Sequence, residues 1–340
     1  MTTNTPTVVF DHLQRMTDHR GTFEHALVSE PRREHGYCTD DMARVLVVAA
    51  RQPDSAGEVN HLARVAVQFL NDAQSFAGKC RNRMNRNGQW TDEPAAEDAW
   101  GRCLWGLGTA AAHSEVSLIR RLAVIQFDRS AGVRSPWPRT MAFAAVGAAE
   151  LLGVQPGHRA ARALITDYAA GLAAPNGDPA WPWPEERLTY ANAVLPEAMI
   201  AAGIALEDHT LRQRGLDLLA WLIDQETADG HFSPTPVGGR GPGEPRPGFD
   251  QQPIEVSTIA DACARASDAD ASAMWPDSIR AAASWFDGAN DVGLPMWDPQ
   301  TGGGFDGLHA DRVNRNQGAE STLAVISTLQ QARRLCTVPQ

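Results

Sequence analysis

The chain has 340 residues, a formal charge of −11 at pH 7 and a hydrophobic content of 43%. This composition is typical of a globular protein, and the length is enough for one large domain or two ordinary ones. Nucleic acid is excluded as a partner because no basic run exists to neutralise phosphates, and no apolar stretch is long enough to span a membrane.

The chain begins with a short amphipathic helix and then alternates helices with long polar segments. Thr39 is expected to cap a helix that carries Asp40 and Asp41 in its first turn and stops at Gln52-Pro53. The predicted helices cover residues 8–16, 41–51, 97–112, 115–129, 139–152, 158–173, 188–206, 209–225, 254–267, 276–287 and 317–335. One more helix is predicted between the second and third of these, with an apolar face that runs from Val59 to Leu70.

These helices alternate between two kinds of surface. Helices such as 97–112 and 139–152 are apolar or small nearly all round, whereas their successors carry a single apolar stripe. A helix that is apolar on every side must be buried on every side, and an amphipathic helix buries one face. The alternation therefore predicts an all-α fold, in which an inner ring of helices is wrapped by an outer ring as in an (α/α)6 barrel.

The connections alternate as well. Links from inner to outer helices are tight turns, whereas links from outer to inner helices are long, which is typical of functional loops. Consecutive helices run antiparallel, so the long loops should gather at the end where the inner helices begin. Short β-ribbons are expected in these loops around Trp90, Phe232 and Trp297, and residues 1–340 are expected to form a single domain.

Polar residues are grouped at the entrance of each inner helix. A closed ring of helices would bring these entrances around one pocket. The six entrances are Asp40-Asp41, Glu97-Asp98-Ala-Trp100, Pro138-Arg139-Thr140, Tyr190-Ala-Asn192-Ala, Gln251-Gln252-Pro253-Ile-Glu255 and Asn316-Gln-Gly-Ala-Glu320.

A pocket of this composition suits a carbohydrate. Sugar rings stack their apolar faces on aromatic side chains and pair their hydroxyls with carboxylates, amides and arginine. Cleavage of a glycosidic bond needs two carboxyl groups, one of which must stay protonated. The catalytic pair is predicted to come from Asp41, Asp98, Glu255 and Glu320, with Glu255 or Asp98 as the acid. The predicted substrate-binding residues are His35, Tyr37, Asp40, Glu97, Trp100, Arg102, Arg139, Trp183, Tyr190, Asn192, Asp250, Gln252, Asp306, His309 and Asn316.

Several of these residues also have a purely structural interpretation. A carboxylate in a first turn stabilises the helix dipole without any further role, and Arg139 could pair with a neighbouring carboxylate. Trp105 is expected in the core, whereas Trp181 and Trp183 are expected to face the site. No metal or cofactor is expected, because the sequence lacks HExxH, GxSxG, GxxxxGK[ST] and strand-linked GxGxxG motifs.

Four segments resemble a bacterial family of six-hairpin proteins that belong to the (α/α)6-barrel glycosidase superfamily. These segments are residues 36–44, 190–198, 249–255 and 316–321, and the resemblance extends over about residues 20–335. Members of the family occur alone or joined to retaining glycosyltransferases, so the resemblance implies a functional link to a glycosyltransferase. The superfamily includes hydrolases, phosphorolytic enzymes, lyases and epimerases, and the fold does not choose among them.

The leading hypothesis is a glycoside hydrolase that cleaves a small oligosaccharide or glycoconjugate, with inversion of configuration expected. A sugar epimerase or isomerase on the same barrel would move protons with histidines, and its candidates are His35, His231 and His309. A phosphorylase would hold phosphate with arginines, and its candidates are Arg32, Arg33 and Arg139. A further alternative is a non-catalytic sugar-binding partner of a glycosyltransferase.

The chain is expected to be cytoplasmic. Its five cysteines are scattered, odd in number and without a CxxC pair, as in proteins that keep their thiols reduced. The first residues, Met1-Thr-Thr-Asn-Thr-Pro, lack a basic region followed by an apolar one, so no signal peptide is expected.

Overall fold

The computed structural model describes residues 7–53, 57–174 and 177–337. Within these residues it contains twelve α-helices, and none of them combines the length and apolarity needed to cross a membrane. The helices are α1 (Asp11–Arg15), α2 (Thr39–Arg51), α3 (Gly57–Ala73), α4 (Asp98–His113), α5 (Ser117–Ser130), α6 (Pro138–Val154), α7 (Arg159–Ala170), α8 (Val194–Ala205), α9 (His209–Gln225), α10 (Pro253–Ala269), α11 (Met274–Phe286) and α12 (Ala319–Thr337).

The even-numbered helices form a closed inner ring. Each contacts the next even-numbered helix, and α12 contacts α2 and so closes the ring. The longer odd-numbered helices, α3 to α11, pack on the outside, and the short α1 lies against α12. The described residues therefore form the predicted (α/α)6 barrel.

Burial explains why the two kinds of helix take these places. α4 is buried at every residue from Ala99 to Ala111, and α6 is buried at every residue from Arg139 to Ala148. The outer helix α3 instead buries one stripe, from Leu62 to Ala73, and exposes the rest. Inner helices without a polar face can be accommodated in water only when a second layer covers them.

The long loops lie where the inner helices begin, and they contain short antiparallel ribbons. The strands are β1 (Ala26–Leu27), β2 (Glu30–Pro31), β3 (Tyr37–Cys38), β4 (Arg83–Met84), β5 (Thr227–Ala228), β6 (His231–Phe232), β7 (Trp297–Asp298), β8 (Gly303–Gly304), β9 (Gly307–Leu308) and β10 (Val313–Asn314). They pair as β1–β2, β3–β4, β5–β6, β7–β8 and β9–β10. The ribbons expected around Phe232 and Trp297 are confirmed, and Trp90 forms a bridge with Met84 of β4.

The start of α8 differs from the prediction. The helix was expected from residue 188 but begins at Val194. Leu188 exchanges two backbone hydrogen bonds with Arg240 of the neighbouring long loop, and Ala191 has a φ of 45°. A residue with a left-handed backbone conformation cannot continue a right-handed helix. Tyr190 and Asn192 therefore lie in the loop that leads into α8.

The opposite end of the barrel is closed by buried ion pairs that the sequence analysis did not identify. Arg265 pairs with Glu197 at 3.1 Å and also with Glu150, and Arg51 pairs with Asp261 at 2.8 Å. A cavity of about 500 Å³ lies against these side chains. Burial raises the pKa of Glu197 to about 7.

Glycines let the neighbouring inner helices α4 and α6 approach closely. A Cβ atom added at Gly108 would lie 2.0 Å from the carbonyl oxygen of Gly147, and one added at Gly147 would lie 2.2 Å from that of Leu104. The obstructing atoms are backbone atoms, so they cannot move without shifting a helix.

We predict that Gly108→Ala destabilises the protein by about 1–3 kcal/mol or more, because the added methyl group forces α4 away from α6. The measurement is the free energy of unfolding in urea. Gly153→Ala is the matched control, since a Cβ at Gly153 in α6 has no neighbour within 4 Å, and it should leave stability unchanged or raise it by about 0.5–1 kcal/mol. Equal effects of the two substitutions would contradict the close approach.

Candidate active site

A groove of about 1160 Å³ opens at the end of the barrel where the inner helices begin. Its walls come from the entrances of α2, α4 and α6, the loop before α4 and the loop before α8. The lining residues are Asp40, Cys80, Asn82, Asp92, Glu93, Ala95, Glu97, Asp98, Ala99, Trp137, Pro138, Arg139, Glu185, Glu186, Arg187, Thr189 and Tyr190.

Asp98, in the first turn of α4, lies at the centre of a hydrogen-bond network in this groove. The hydroxyl of Thr140 donates to one carboxylate oxygen at 2.7 Å. Arg102, one turn later in α4, donates to the other oxygen at 3.4 Å, and the hydroxyl of Tyr190 also donates to that oxygen. The side chain is still 32% exposed, so Asp98 is oriented by three donors and open to a ligand.

Arg102 is a buried cation beneath the groove. It pairs with Asp40 of α2 at 3.0 Å and with Asp98, and its guanidinium lies 4.8 Å from the ring centre of Phe143. Burial alone would lower the pKa of Arg102, but Asp40 and Asp98 outweigh that effect and raise it. The arginine therefore stays charged and joins the entrance of α2 to that of α4.

Arg139 forms the next part of the groove wall. It donates to both oxygens of Glu185, at 3.0 and 2.7 Å, and its guanidinium lies 4.9 Å from the ring centre of Tyr190. Burial and the hydrogen bond to Asp98 raise the pKa of Tyr190 to about 12, so the phenol remains a donor at neutral pH. The guanidinium of Arg139 against the ring and the hydrogen bond from the hydroxyl to Asp98 together fix the position of the Tyr190 ring.

Glu255, in the first turn of α10, is buried under the loop that carries Tyr190. One carboxyl oxygen accepts the backbone N–H of Ala191 at 2.7 Å, and the other accepts the backbone N–H and the side-chain amide of Asn192 at 3.4 and 3.3 Å. Burial raises the pKa of Glu255 to about 8, although these donors lower it. Both oxygens face the loop, so Glu255 positions the loop and Tyr190 with it.

Arg44, in α2, joins Asp41 to Glu320 of α12, with distances of 2.8 Å to each carboxylate. Asp41 is buried, and burial raises its pKa to about 6 even though Arg44 lowers it. The thiol of Cys38 donates to Asp41 at 3.1 Å. Glu320 is different because its side chain is 43% exposed.

The loop residues before α10 and α12 form a separate group. Nδ1 of His309 lies 2.9 Å from a carboxylate oxygen of Asp250. Asp306 accepts the N–H of Gly318 at 2.8 Å and the hydroxyl of Ser321 at 2.9 Å, and burial raises its pKa to about 6. The amide of Asn316 accepts the N–H of Val28 at 2.9 Å and so ties α12 to the β1–β2 hairpin.

Two aromatic residues that were expected to bind substrate, Tyr37 and Trp100, lie in the core. Tyr37 is buried, stacks on Phe23 and donates its hydroxyl to Asp18 at 2.8 Å. Trp100 is fully buried, and its indole N–H donates to the carbonyl of Ser130 at 3.3 Å. These side chains point between helices and not toward the groove, so the expectation was wrong for them.

The two tryptophans of the proline-rich loop before α8 are also buried. Trp183 stacks on Trp221 of α9 with ring centres 5.8 Å apart, and Trp181 meets the same ring edge-on at 5.1 Å. They pack the loop onto the outer helix, which corrects the expectation that they face the site. Trp105 is buried as expected.

Three other predicted residues have no close role in the network. His35 is exposed beside Glu34 and lies edge-on to His25. Gln252 is the half-buried residue before α10, and its side chain makes no capping hydrogen bond there. Glu97 is exposed and lines the groove, so its predicted role in substrate binding stays a prediction.

Sequence reasoning missed three residues that shape the site, namely Arg44, Glu185 and Trp137, and it named Thr140 only as part of a helix entrance. Arg44 carried a visible signal, because it is the one charged residue between Asp41 and Arg51 in an otherwise apolar helix. Trp137 also carried one, since prolines flank an aromatic residue just before an inner helix. Glu185 had none, because its pairing with Arg139 joins distant segments.

Within the described residues, one group of three potential metal ligands comes together. Atoms of Glu24, Cys38 and Asp41 lie within 4.8 Å of one another. Asp41 is already paired with Arg44, and Glu24 is paired with Arg83. Two arginines beside the group disfavour a cation there.

Comparisons with known proteins identify the fold. No family model matches the chain, and no curated protein matches it. Solved structures do match. A cellobiose 2-epimerase from Bacillus thermoamylovorans has a TM-score of 0.71 at 10% identity, over 97% of this chain and 96% of that one.

Two further structures show how varied these neighbours are. A sugar epimerase from a ruminal bacterium has a TM-score of 0.69 at 12% identity, over 97% of this chain and 96% of that one. An inactive variant of an α-1,6-mannanase from a Salegentibacter species, solved with α-1,6-mannotetrose, has a TM-score of 0.62 at 10% identity, over 95% of this chain and 97% of that one. The neighbours are (α/α)6-barrel carbohydrate-active enzymes that include hydrolases and epimerases.

We predict that Glu255 makes stability fall as pH rises. The pKa of a glutamate carboxyl is ordinarily 4.5, and the pKa of Glu255 in the folded protein is about 8. Between these two pH values the folded protein therefore holds a proton that the unfolded chain has released. The free energy of unfolding then decreases with pH by up to about 1.4 kcal/mol per pH unit from this group.

Urea unfolding between pH 5 and 8 measures the effect. Glu255→Gln should flatten the profile, and its stability relative to the wild type should grow with pH. Glu97→Gln removes an exposed carboxylate at another helix entrance and should keep the wild-type profile. Parallel profiles for the wild type and Glu255→Gln would show that Glu255 is charged when folded.

Proposed function

We propose that the protein is a glycoside hydrolase whose catalytic pair is Asp98 and Glu320. The observation that carries this proposal is a pair of similar contacts, in each of which a buried arginine holds a partly exposed carboxylate. Arg102 holds Asp98 of α4, and Arg44 holds Glu320 of α12. Two oriented carboxyl groups that remain open to solvent are what glycosidic cleavage requires.

The two carboxylates have different surroundings, which suggest different roles. Three donors hold Asp98 in one orientation, and this suits a base that aligns a water molecule for attack. Glu320 has one oxygen paired with Arg44, and its other oxygen has no partner among the described residues. We therefore expect the second oxygen of Glu320 to face the substrate.

The other two members of the predicted catalytic set act indirectly in this proposal. Asp41 is buried between Cys38 and Arg44, where it balances the charge of the arginine that holds Glu320. Glu255 has both oxygens bonded to the loop before α8, so it is a positioning residue for Tyr190. The expected role of Glu255 as the acid has less support, because both of its oxygens hold this loop.

A sugar epimerase or isomerase is the second candidate, and one contact favours it. The Nδ1 atom of His309 lies 2.9 Å from a carboxylate oxygen of Asp250, so this carboxylate can pair with the imidazolium that forms when the histidine accepts a proton. Epimerases and an isomerase are among the structural neighbours. The other candidate histidines fit less well, because His231 pairs with Asp291 at 3.0 Å and His35 lies apart from the network.

Phosphorolysis has less support. Arg139 is held by both oxygens of Glu185, and Arg32 is paired with Glu34 at 2.9 Å. Arg33 lies over the ring of Phe23, 5.0 Å from its centre. None of these contacts gathers the arginines around one anion site.

Partnership with a glycosyltransferase and a cytoplasmic location remain part of the proposal. The first rests on the resemblance of the four sequence segments. The second is supported by the cysteines, all five of which are free thiols, with four of them buried.

We predict that Asp98→Asn and Glu320→Gln each lower turnover by about 10²–10⁴-fold, since each removes a proton-transfer or water-activating group. The measurement is release of reducing ends from gluco-, manno- and galacto-oligosaccharides, with NMR detection of the anomer formed first. Glu93→Gln changes an exposed carboxylate of the same groove and should stay within about twofold of the wild type.

The same reactions run in D₂O separate the two candidate functions. Hydrolysis releases a second sugar and leaves its C–H bonds unlabelled. Epimerisation incorporates deuterium at carbon without releasing a second sugar, and His309→Asn should then abolish it. Deuterium incorporation that survives Asp98→Asn would contradict the hydrolase assignment.

A further inference from the structure

Trp137 is an exposed aromatic residue that neither the fold nor the catalytic network requires. It precedes α6, lines the groove, and is 59% exposed. Leaving a large apolar side chain in water forgoes the stabilisation that burial would give. A ligand that covers the ring would recover it.

The backbone around Trp137 holds the ring in a fixed place. Prolines at 136 and 138 restrict the chain on both sides. The N–H of Trp137 donates to the hydroxyl of Ser135 at 3.2 Å, and its carbonyl accepts the first bond of α6 from Met141. A pre-set platform loses little entropy when it binds.

Two other tryptophans next to prolines can be compared with Trp137. Trp183 also lies between two prolines, and Trp181 precedes one of them, yet both tryptophans are buried against Trp221. The proline-flanked arrangement therefore does not by itself expose a tryptophan. Trp137 lies between two prolines as Trp183 does, but it faces the groove.

The position of Trp137 relative to Asp98 sets its role. It lies one helical turn, about 5 Å along the axis, before Thr140, whose hydroxyl donates to Asp98. Both Trp137 and Asp98 line the groove, so the indole lies on the same wall as the proposed catalytic carboxylate. The groove volume of about 1160 Å³ also exceeds the roughly 300–1,000 Å³ typical of pockets for a single drug-sized ligand.

The charge of the groove limits the classes of sugar that it can bind. Glu93, Glu97 and Glu186 are exposed in its lining and have no cationic partner among the described residues. Its arginines are neutralised, Arg139 by Glu185 and Arg187 by Glu244 of the next loop. An anionic sugar would be repelled by such a surface.

We infer that the groove binds an uncharged oligosaccharide of at least two rings, and that Trp137 is the platform for the ring next to the reacting one. The inference rests on the proposed carbohydrate function of the groove. It does not depend on which reaction takes place there.

The test is calorimetric binding to the Glu320→Gln variant, whose turnover is expected to be about 10²–10⁴-fold lower than that of the wild type. The ligands are cello-, malto- and α-1,6-manno-oligosaccharides of one to four rings. Within the series that binds, affinity should rise at least about tenfold from one ring to three. Trp137→Ala in the same background should lower trisaccharide affinity about tenfold and leave monosaccharide affinity within about twofold, and Trp137→Phe should restore most of the loss.

Phe76→Ala is the matched control, because Phe76 is a fully exposed aromatic that does not line the groove, and it should not change binding. Uronic-acid oligomers of the same length should bind more weakly than neutral ones. Affinity that is independent of chain length, equal losses for one ring and three rings, or no binding in any series would overturn the inference. If wild-type protein binds the series as expected but cleaves none of it, the hydrolase proposal fails and this inference stands.

Discussion

Two buried arginines set the geometry of the end of the barrel where the inner helices begin. A buried guanidinium without a carboxylate partner would cost several kcal/mol, so each of these arginines requires acidic residues from its neighbours. Arg44 links α2 to Glu320 of α12, and Arg102 links α4 to Asp40 of α2. The same pairs join adjacent helices of the ring and orient the carboxylates before any ligand arrives. Stability and preorganisation of the groove therefore depend on one set of contacts.

Much of the fold was predictable from the sequence, because an inner helix has no polar face and an outer helix has one. The lengths of the connections then predicted that the long loops gather at one end. The carboxylates at the entrances were predictable for a related reason, since first-turn acids stabilise a helix and also meet in a ring. The sequence pattern could not predict whether an aromatic side chain points into the core or into the groove. Trp100 at a helix entrance and Trp183 in a loop both turned inward, whereas Trp137 faces the groove.

The pairing of distant segments was beyond the reach of the sequence for the same physical reason. Local periodicity predicts which face of a helix is buried, but not which residue of another loop will meet it. Glu255 illustrates the limit. Its place in a first turn suggested chemistry, and in the structure both of its oxygens hold the loop before α8. The beginning of that helix at Val194 depends on a pairing of Leu188 with Arg240, which no local signal indicates.

The fold alone supports several reactions, so the account depends on which groups meet the sugar. Its central claim is that Asp98 and Glu320 lie on opposite sides of the scissile bond. The direct measurement is a crystal structure of the Glu320→Gln variant with a bound neutral trisaccharide. We expect one ring against Asp98, with the two catalytic side chains about 6.5–9.5 Å apart if the reaction inverts configuration. A sugar bound against His309 and Asp250, with Asp98 making no contact to it, would contradict the claim.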